Sequence, residues 1–286
     1  MAVEYFIRYK SENQYENPVS EAIWQFLVTP TTNENQTLIN SHFTVSQDAK
    51  VDRSINSFRF EIARVSCSKP FTNIQFEAEF KVLKENVNPF ENDTDENHEE
   101  EYSTIEGLDF KVDHIVFLTS TSLSTLPSAH QTLYNFDRTK SIFNNIQNLN
   151  LFINDYLEFE PGVTSVDTTV DKILEKRKGV CQDYTHLFLA IARYNGIPAR
   201  YVSGYLHQGS GFFGDLQMHA WIEVFIPNMG WIGLDPTNKI FADINHVKVA
   251  HGRDYSDCPP IKGIVYSSGK NTTAYTVEVS QQQQQQ

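Results

Sequence analysis

The alternation of apolar and polar residues from Ile74 to Val82 constrains this chain more than any other feature. Ile74, Phe76, Ala78, Phe80 and Val82 alternate with Gln75, Glu77, Glu79 and Lys81. A period of two held over that length is the pattern of a strand with one face on a core and the other in water. Phe58, Phe60 and Ile62 alternate in the same way with Arg59 and Glu61, and the stretches Glu4 to Lys10, Ala22 to Thr29 and Leu38 to Ser46 look similar between clusters of Asn, Ser and Pro. Such faces have to be covered, and an antiparallel β-sandwich covers them. With one more strand expected from Asp109 to Leu118, residues 1–118 read as a β-rich domain.

The pattern then changes. Pro127 to Tyr134 and Ser141 to Tyr156 show helical spacing, with Ile142, Ile146, Leu149 and Ile153 on one stripe, and Thr168 to Lys178 reads as a short helix ended by Gly179. A chain of 286 residues exceeds a typical single domain, so residues 119–280 are expected to form a second, α+β domain. The glutamine run at 281–286 reads as a disordered tail.

Composition narrows the function. A formal net charge of −13 argues against a nucleic-acid surface, which needs concentrated Lys and Arg. Much of the charge lies between Glu85 and Glu106, including Glu91, Asp93, Asp95 and Glu96, and reads as a solvated loop. It is no calcium loop, because no Gly occupies the middle of the run from Asp93 to Glu101. The N-terminal residues show neither a basic leader nor a long apolar run, so no signal peptide or membrane span is expected and the location is read as cytoplasmic. Cys67, Cys181 and Cys258 form no CxxC pair, which fits a reducing compartment.

Cys181 stands where Lys178-Gly179-Val180 meets a helix marked by Tyr184, Leu187, Phe188 and Ile191 and closed by Gly196-Ile197-Pro198. In the first helical turn the unpaired amides and the macrodipole favour a thiolate, and Lys176, Arg177 and Lys178 add positive potential, while Asp183 opposes them. The same amides suit an oxyanion. Downstream, Ala199 to Leu206, Met218 to Ile226 and Trp231 to Leu234 read as strands, the last two joined by a turn at Pro227-Asn228-Met229-Gly230. Alternation puts His219, Trp221, Glu223 and Phe225 on one face. Asp235 ends the next strand before Pro236. A symmetric hairpin around Asn228-Met229 would set Asp235 opposite Ile222, roughly 10 Å along the strand from His219, so contact would require a bulge or a wider loop. A zinc site from Cys181, His186 and His219 lacks ligand spacing, and no metal or cofactor is expected.

Together Gly179-Val180-Cys181-Gln182-Asp183-Tyr184, Gly196-Ile197-Pro198-Ala199-Arg200-Tyr201-Val202-Ser203-Gly204-Tyr205, His219-Ala220-Trp221 and Gly230-Trp231 to Leu234-Asp235-Pro236-Thr237-Asn238 resemble the transglutaminase-like superfamily, which shares the papain-like cysteine-protease core. His251 to Pro260 is similar to the tail of its bacterial branch, and the N-terminal strands are similar to that branch's β-rich domain. The resemblance implies Cys181 as nucleophile, His219 as general base and acid, and Asp235 as orienter. Gln182, Trp221, Phe212 and Phe213 are candidates for the oxyanion or substrate lining, the two phenylalanines on a Gly-rich loop read as a gate. The expected activity is attack on an amide of a peptide or protein substrate, most simply as a cysteine peptidase or amidase. A protein-glutamine transglutaminase and a non-catalytic protein-binding module are the competing readings. The oligomeric state is left open.

Overall fold

Both ends of the chain build the first domain. In the computed structural model, which describes residues 2–88, 90, 98–207 and 217–281, strands β1 (Ala2–Val19), β3 (Gln36–Val45), β6 (Phe71–Glu85) and β15 (Asn271–Gln281) form one antiparallel sheet in the order β15-β1-β6-β3. A second, ordered β14-β2-β5-β4, consists of β2 (Glu21–Phe26), β4 (Lys50–Ile55), β5 (Glu61–Cys67) and β14 (Ile261–Tyr266). The expected second segment, 119–280, thus contributes its last two strands to the sandwich.

Alternation sets the faces. Tyr5, Ile7 and Tyr9 of β1 are buried while Phe6 and Arg8 are exposed, and the apolar set of β6 is buried throughout. Across the sheets, Phe76 meets Trp24 and Phe26 at centroid separations of 5.1 and 4.6 Å, within the range of favourable tilted ring contacts.

The second domain is organised around one buried helix. Helix α6 (Cys181–Tyr194) packs on a five-stranded antiparallel sheet of order β12-β11-β10-β9-β13, made of β9 (Ala199–Leu206), β10 (His219–Ile226), β11 (Gly230–Asp235), β12 (Ile240–Phe241) and β13 (His246–Gly252). Helices α4 (Ile142–Tyr156) and α5 (Val170–Lys176) flank it, the α4 stripe of Ile142, Ile146, Leu149 and Ile153 being buried as the spacing implies. Leu187, Phe188 and Ile191 are fully buried, each worth about 1.5–3 kcal/mol relative to exposure. The helix ends as the sequence implies: Gly196 takes φ 78°, and the Ile197 amide donates back to the Ala192 carbonyl. A short parallel pair, β7 (Glu158–Phe159) and β8 (Lys178–Gly179), leads the chain into Cys181.

Several local expectations are corrected: Phe58 and Phe60 fall in the turn before β5, where Arg59 takes φ 67°, and α5 ends at Lys176 with Arg177 at φ 54°, ahead of Gly179. Asp109 to Leu118 is helical, as α2 (Leu108–Asp113) and α3 (Ile115–Leu118), because Phe110, His114 and Phe117 recur at helical spacing and dock on Phe225, Trp231 and His251. The acidic stretch is not loop throughout: α1 (His98–Glu106) buries Tyr102 and Ile105. Its Glu101 carboxylate accepts the Ile142 amide at 2.9 Å, where a negative charge suits the start of α4. Glu91, Asp93, Asp95 and Glu96 lie outside the described residues. Between Pro127 and Tyr134 the helical turn is confined to a 3₁₀ segment, Ser128–His130.

Gly204 on β9 lies beneath Trp221. A Cβ there would sit 2.4 Å from the indole and 2.3 Å from the Val247 carbonyl, and neither a buried ring nor a paired strand yields easily. Gly204→Ala is therefore expected to cost about 2 kcal/mol, read as a lower urea midpoint at unchanged m-value. An unshifted midpoint would show that Trp221 has room to move.

Candidate active site

Cys181 is half-buried at the first position of α6. The turn before it is tight for a specific reason: Asp183 folds back over the helix start, its Oδ2 accepting the Val180 amide and the Thr164 hydroxyl, both at 2.7 Å. A Cβ on Gly179 would lie 2.4 Å from that same oxygen, so only glycine fits beside the cap. Burial pushes the Asp183 carboxyl up, against the pull of these hydrogen bonds.

His219 opens β10 and Asp235 closes β11. The hairpin joining them pairs Ile226 with Gly230 and continues to Ile222 with Leu234, which places Asp235 beside Trp221 rather than Ile222. The connection is three residues long, Pro227 to Met229, with Asn228 at φ 67°. This one-residue difference moves Asp235 onto the face of the sheet that carries His219 and Trp221. The remaining offset is the diagonal between neighbouring strands, about 7–8 Å, which two side chains span. His219 Nε2 meets Asp235 Oδ2 at 2.7 Å, with no bulge in the paired stretch.

Asp235 is held from all sides. Its Oδ1 accepts the amides of Thr237 and Asn238 at 3.0 and 3.3 Å, and Oδ2 also accepts the Asn238 side-chain amide at 2.7 Å. A second imidazole, His246, brings its Nε2 to 3.2 Å from the same Oδ2. Both His219 and Asp235 have fully buried side chains. Burial alone would lower the His219 pKa, but the charge and hydrogen bond of Asp235, helped by Cys181, carry it up to about 10. For Asp235, burial would raise the pKa, and the two imidazoles outweigh it and hold the carboxyl well below the usual carboxylate range. Among the described residues His219 Nδ1 has no partner within hydrogen-bond geometry, and it is the ring nitrogen that Asp235 does not engage.

Cys181 and His219 line one cavity of about 440 Å³. Its walls come from both domains: Tyr9 of β1 and Tyr275 of β15 face Tyr255 and Gln182 of the second domain. The Gln182 amide is tied to the Val166 carbonyl at 3.0 Å. Trp221 stands behind the site rather than in the cavity, packed edge-on against His246 at 5.2 Å and nearly parallel to His219 at 6.3 Å. Phe212 and Phe213 lie outside the described residues.

His186, the other ligand of the zinc set weighed above, is turned away: its Nε2 accepts the Tyr255 amide at 3.3 Å, and burial lowers its pKa to about 4. His219, Asp235 and His246 do bring ligand atoms within 4.8 Å of one another. Their contacts are hydrogen bonds, the two Nε2 atoms lying 2.7 and 3.2 Å from Asp235 Oδ2. The sequence reading missed the part played by His246 and Asn238. Asn238 stands three residues after Asp235 in a turn-forming stretch, a signal for side-chain capping; His246 carries no local signal, since the fold alone brings it back.

Residues 131–236 match the family model of the transglutaminase-like superfamily, and residues 5–83 match the bacterial transglutaminase-like N-terminal region. With most of the chain so covered, the protein belongs to the transglutaminase-like superfamily. An uncharacterized protein of Mycobacterium tuberculosis is 40% identical over 123 residues, 40% of this chain and 39% of that relative, so the likeness spans about two fifths of its length. One from Mycobacterium leprae is 26% identical over 270 residues, 93% of this chain and 94% of the relative. A protein-glutamine gamma-glutamyltransferase of Pseudomonas aeruginosa is 32% identical over 87 residues, 28% of this chain and 13% of that protein. Among solved structures, a provisionally named cysteine protease from Cytophaga hutchinsonii superposes with a TM-score of 0.80 at 21% identity, covering 100% of this chain and 92% of that one, which establishes a shared fold. Among the described residues no helix is long and apolar enough to cross a membrane.

The buried pair predicts how stability depends on pH. His219 rises from 6.5 to about 10 on folding, so its contribution is complete below 6.5 and is lost as the pH climbs through 10. Asp235, held low, contributes above its ordinary 3.8 and loses that contribution only in stronger acid. Between pH 6.5 and 10 the wild-type Tm should fall relative to that of His219→Gln. Parallel profiles would mean that no charged pair forms.

Proposed function

We propose that this chain is a thiol-dependent acyl-transfer enzyme, acting on amides of peptide or protein substrates and most simply a cysteine peptidase or amidase. The observation that carries the reading is the buried 2.7 Å bond from His219 Nε2 to Asp235, which leaves Nδ1 for the Cys181 thiol on a shared cavity.

On this reading His219, whose pKa is raised, already holds the proton that Cys181 gives up, and the sulfur attacks the amide carbonyl. The amides of Cys181 and Gln182 precede the intrahelical bonds of α6 and suit the developing oxyanion. His219 then protonates the departing nitrogen as the C–N bond breaks, leaving a thioester on Cys181. Water, deprotonated by His219, releases the acid and restores the thiol. Asp235 keeps one tautomer and one orientation of the ring through both steps. An amine in place of water gives transglutamination, a reading favoured by the likeness to the Pseudomonas glutamyltransferase. All three cysteines are free, which supports a reducing compartment such as the cytoplasm.

The test is a peptide-library screen, including glutamine-containing peptides, run with and without a primary amine. Activity should appear without amine and fall by roughly 10³-fold or more in Cys181→Ala. Product formed only when amine is present would assign transglutamination instead. Activity that survives Cys181→Ala would sink the thiol mechanism, and no turnover of any peptide would favour a binding module.

A further inference from the structure

We propose that His246 is a positioning residue for the acyl-transfer reaction, a second imidazole that holds Asp235 in line behind His219; this rests on the reading of Cys181 and His219 given above. Side chains then follow one another in a row from Cys181 through His219, Asp235 and His246 to Asp243.

Asp235 is fully buried, and among the described residues no Lys or Arg reaches it; its ion-pair partners are His219 at 2.7 Å and His246 at 3.2 Å. A buried charge depends on such compensation. His219 must be free to change protonation during turnover, so a partner that stays in place keeps the carboxylate oriented while the catalytic ring cycles.

Its hydrogen bonds also fix how His246 acts. The Asp243 backbone amide donates to His246 Nδ1 at 3.1 Å, which makes Nδ1 the acceptor and leaves Nε2–H to donate to Asp235. An Asp243 carboxylate oxygen lies 3.1 Å from the same Nδ1. Asp243 is in turn braced by the Asn245 amide at 2.8 Å. Trp221 packs edge-on against His246 at 5.2 Å, and the His246 side chain is 1% exposed, so the ring has little freedom to leave. His246 belongs to β13, on the opposite side of the sheet from β11, so its bond to Asp235 ties together elements that share no strand pairing.

The test needs no known substrate for its first readout. Alkylation of Cys181 by iodoacetamide, followed by mass spectrometry across pH, reports the thiol and imidazole pair directly. His246→Ala should move that profile to higher pH and, on any peptide the library yields, lower kcat about 10- to 100-fold with KM nearly unchanged. His246→Gln, which keeps an N–H donor for Asp235 but cannot titrate, should restore most of both. If His246→Ala does not fold, His246→Leu, which fills the space without a donor, carries the same expectation. A profile unmoved in His246→Ala, or a lowered Tm with the profile kept, overturns the proposal, as does a Gln variant no better than Ala. His219→Gln separates the two levels of inference: if it too leaves the profile unmoved, the acyl-transfer reading itself fails; if it moves the profile and His246→Ala does not, only the role of His246 falls.

Discussion

A full negative charge buried at Asp235 is the constraint on which the rest of the second domain depends. Water cannot solvate it, so every acceptor site must find a donor from the protein. The donors come from four places: His219 on β10, His246 at the start of β13, and the amides and side chain of Thr237 and Asn238 just after β11. Bringing them together demands one hairpin register and one seat for Trp221, and that seat exists because Gly204 has no side chain. The sheet is thus specified by a polar network as much as by its apolar core.

The cavity inherits this rigidity on one side and gains its shape from the other. Cys181 sits on a helix buried almost all round, and His219 on a central strand, so both side chains stand on regular elements rather than loops. The opposing wall is contributed by Tyr9 and Tyr275, from strands that pair with one another in the sandwich. Because the last strands return to the first domain, the two domains cannot be separated without opening the cleft. The β-domain is in this sense part of the candidate site and more than a neighbour of it.

How much of this was legible follows from which forces are local. The faces of β1 and β6 and the stripe of α4 were readable because burial repeats with the period of the element, as was the end of α6 at Gly196. The helices α2 and α3 were not, because Val112, Ile115 and Val116 invite a strand reading, while the deciding contacts, Phe110, His114 and Phe117 against the sheet, are long-range. The sequence named Cys181, His219 and Asp235 but assumed the tightest hairpin, and a period-two element turns that one-residue error into the wrong face. His246 is one of several later histidines that the sequence leaves open, and for a different reason: its partner lies eleven residues away on another strand, and nothing in its neighbours distinguishes it from a core histidine.

Asp183 illustrates how geometry can reverse an electrostatic reading. By charge alone it counts against a thiolate at Cys181, two residues away. In the fold its carboxylate is turned back onto the Val180 amide and the Thr164 hydroxyl, and burial raises its pKa, so the charge is spent on closing the strand-to-helix turn. Since the Asp183 and Tyr184 amides are committed to the Val180 carbonyl, the cap and the helix between them use the amides on either side of Cys181 and Gln182. On the acyl-transfer reading those two amides are the ones an oxyanion needs. The acid that opposes the nucleophile electrostatically is then what shapes the turn presenting it, and the requirement for Gly179 follows from the same packing.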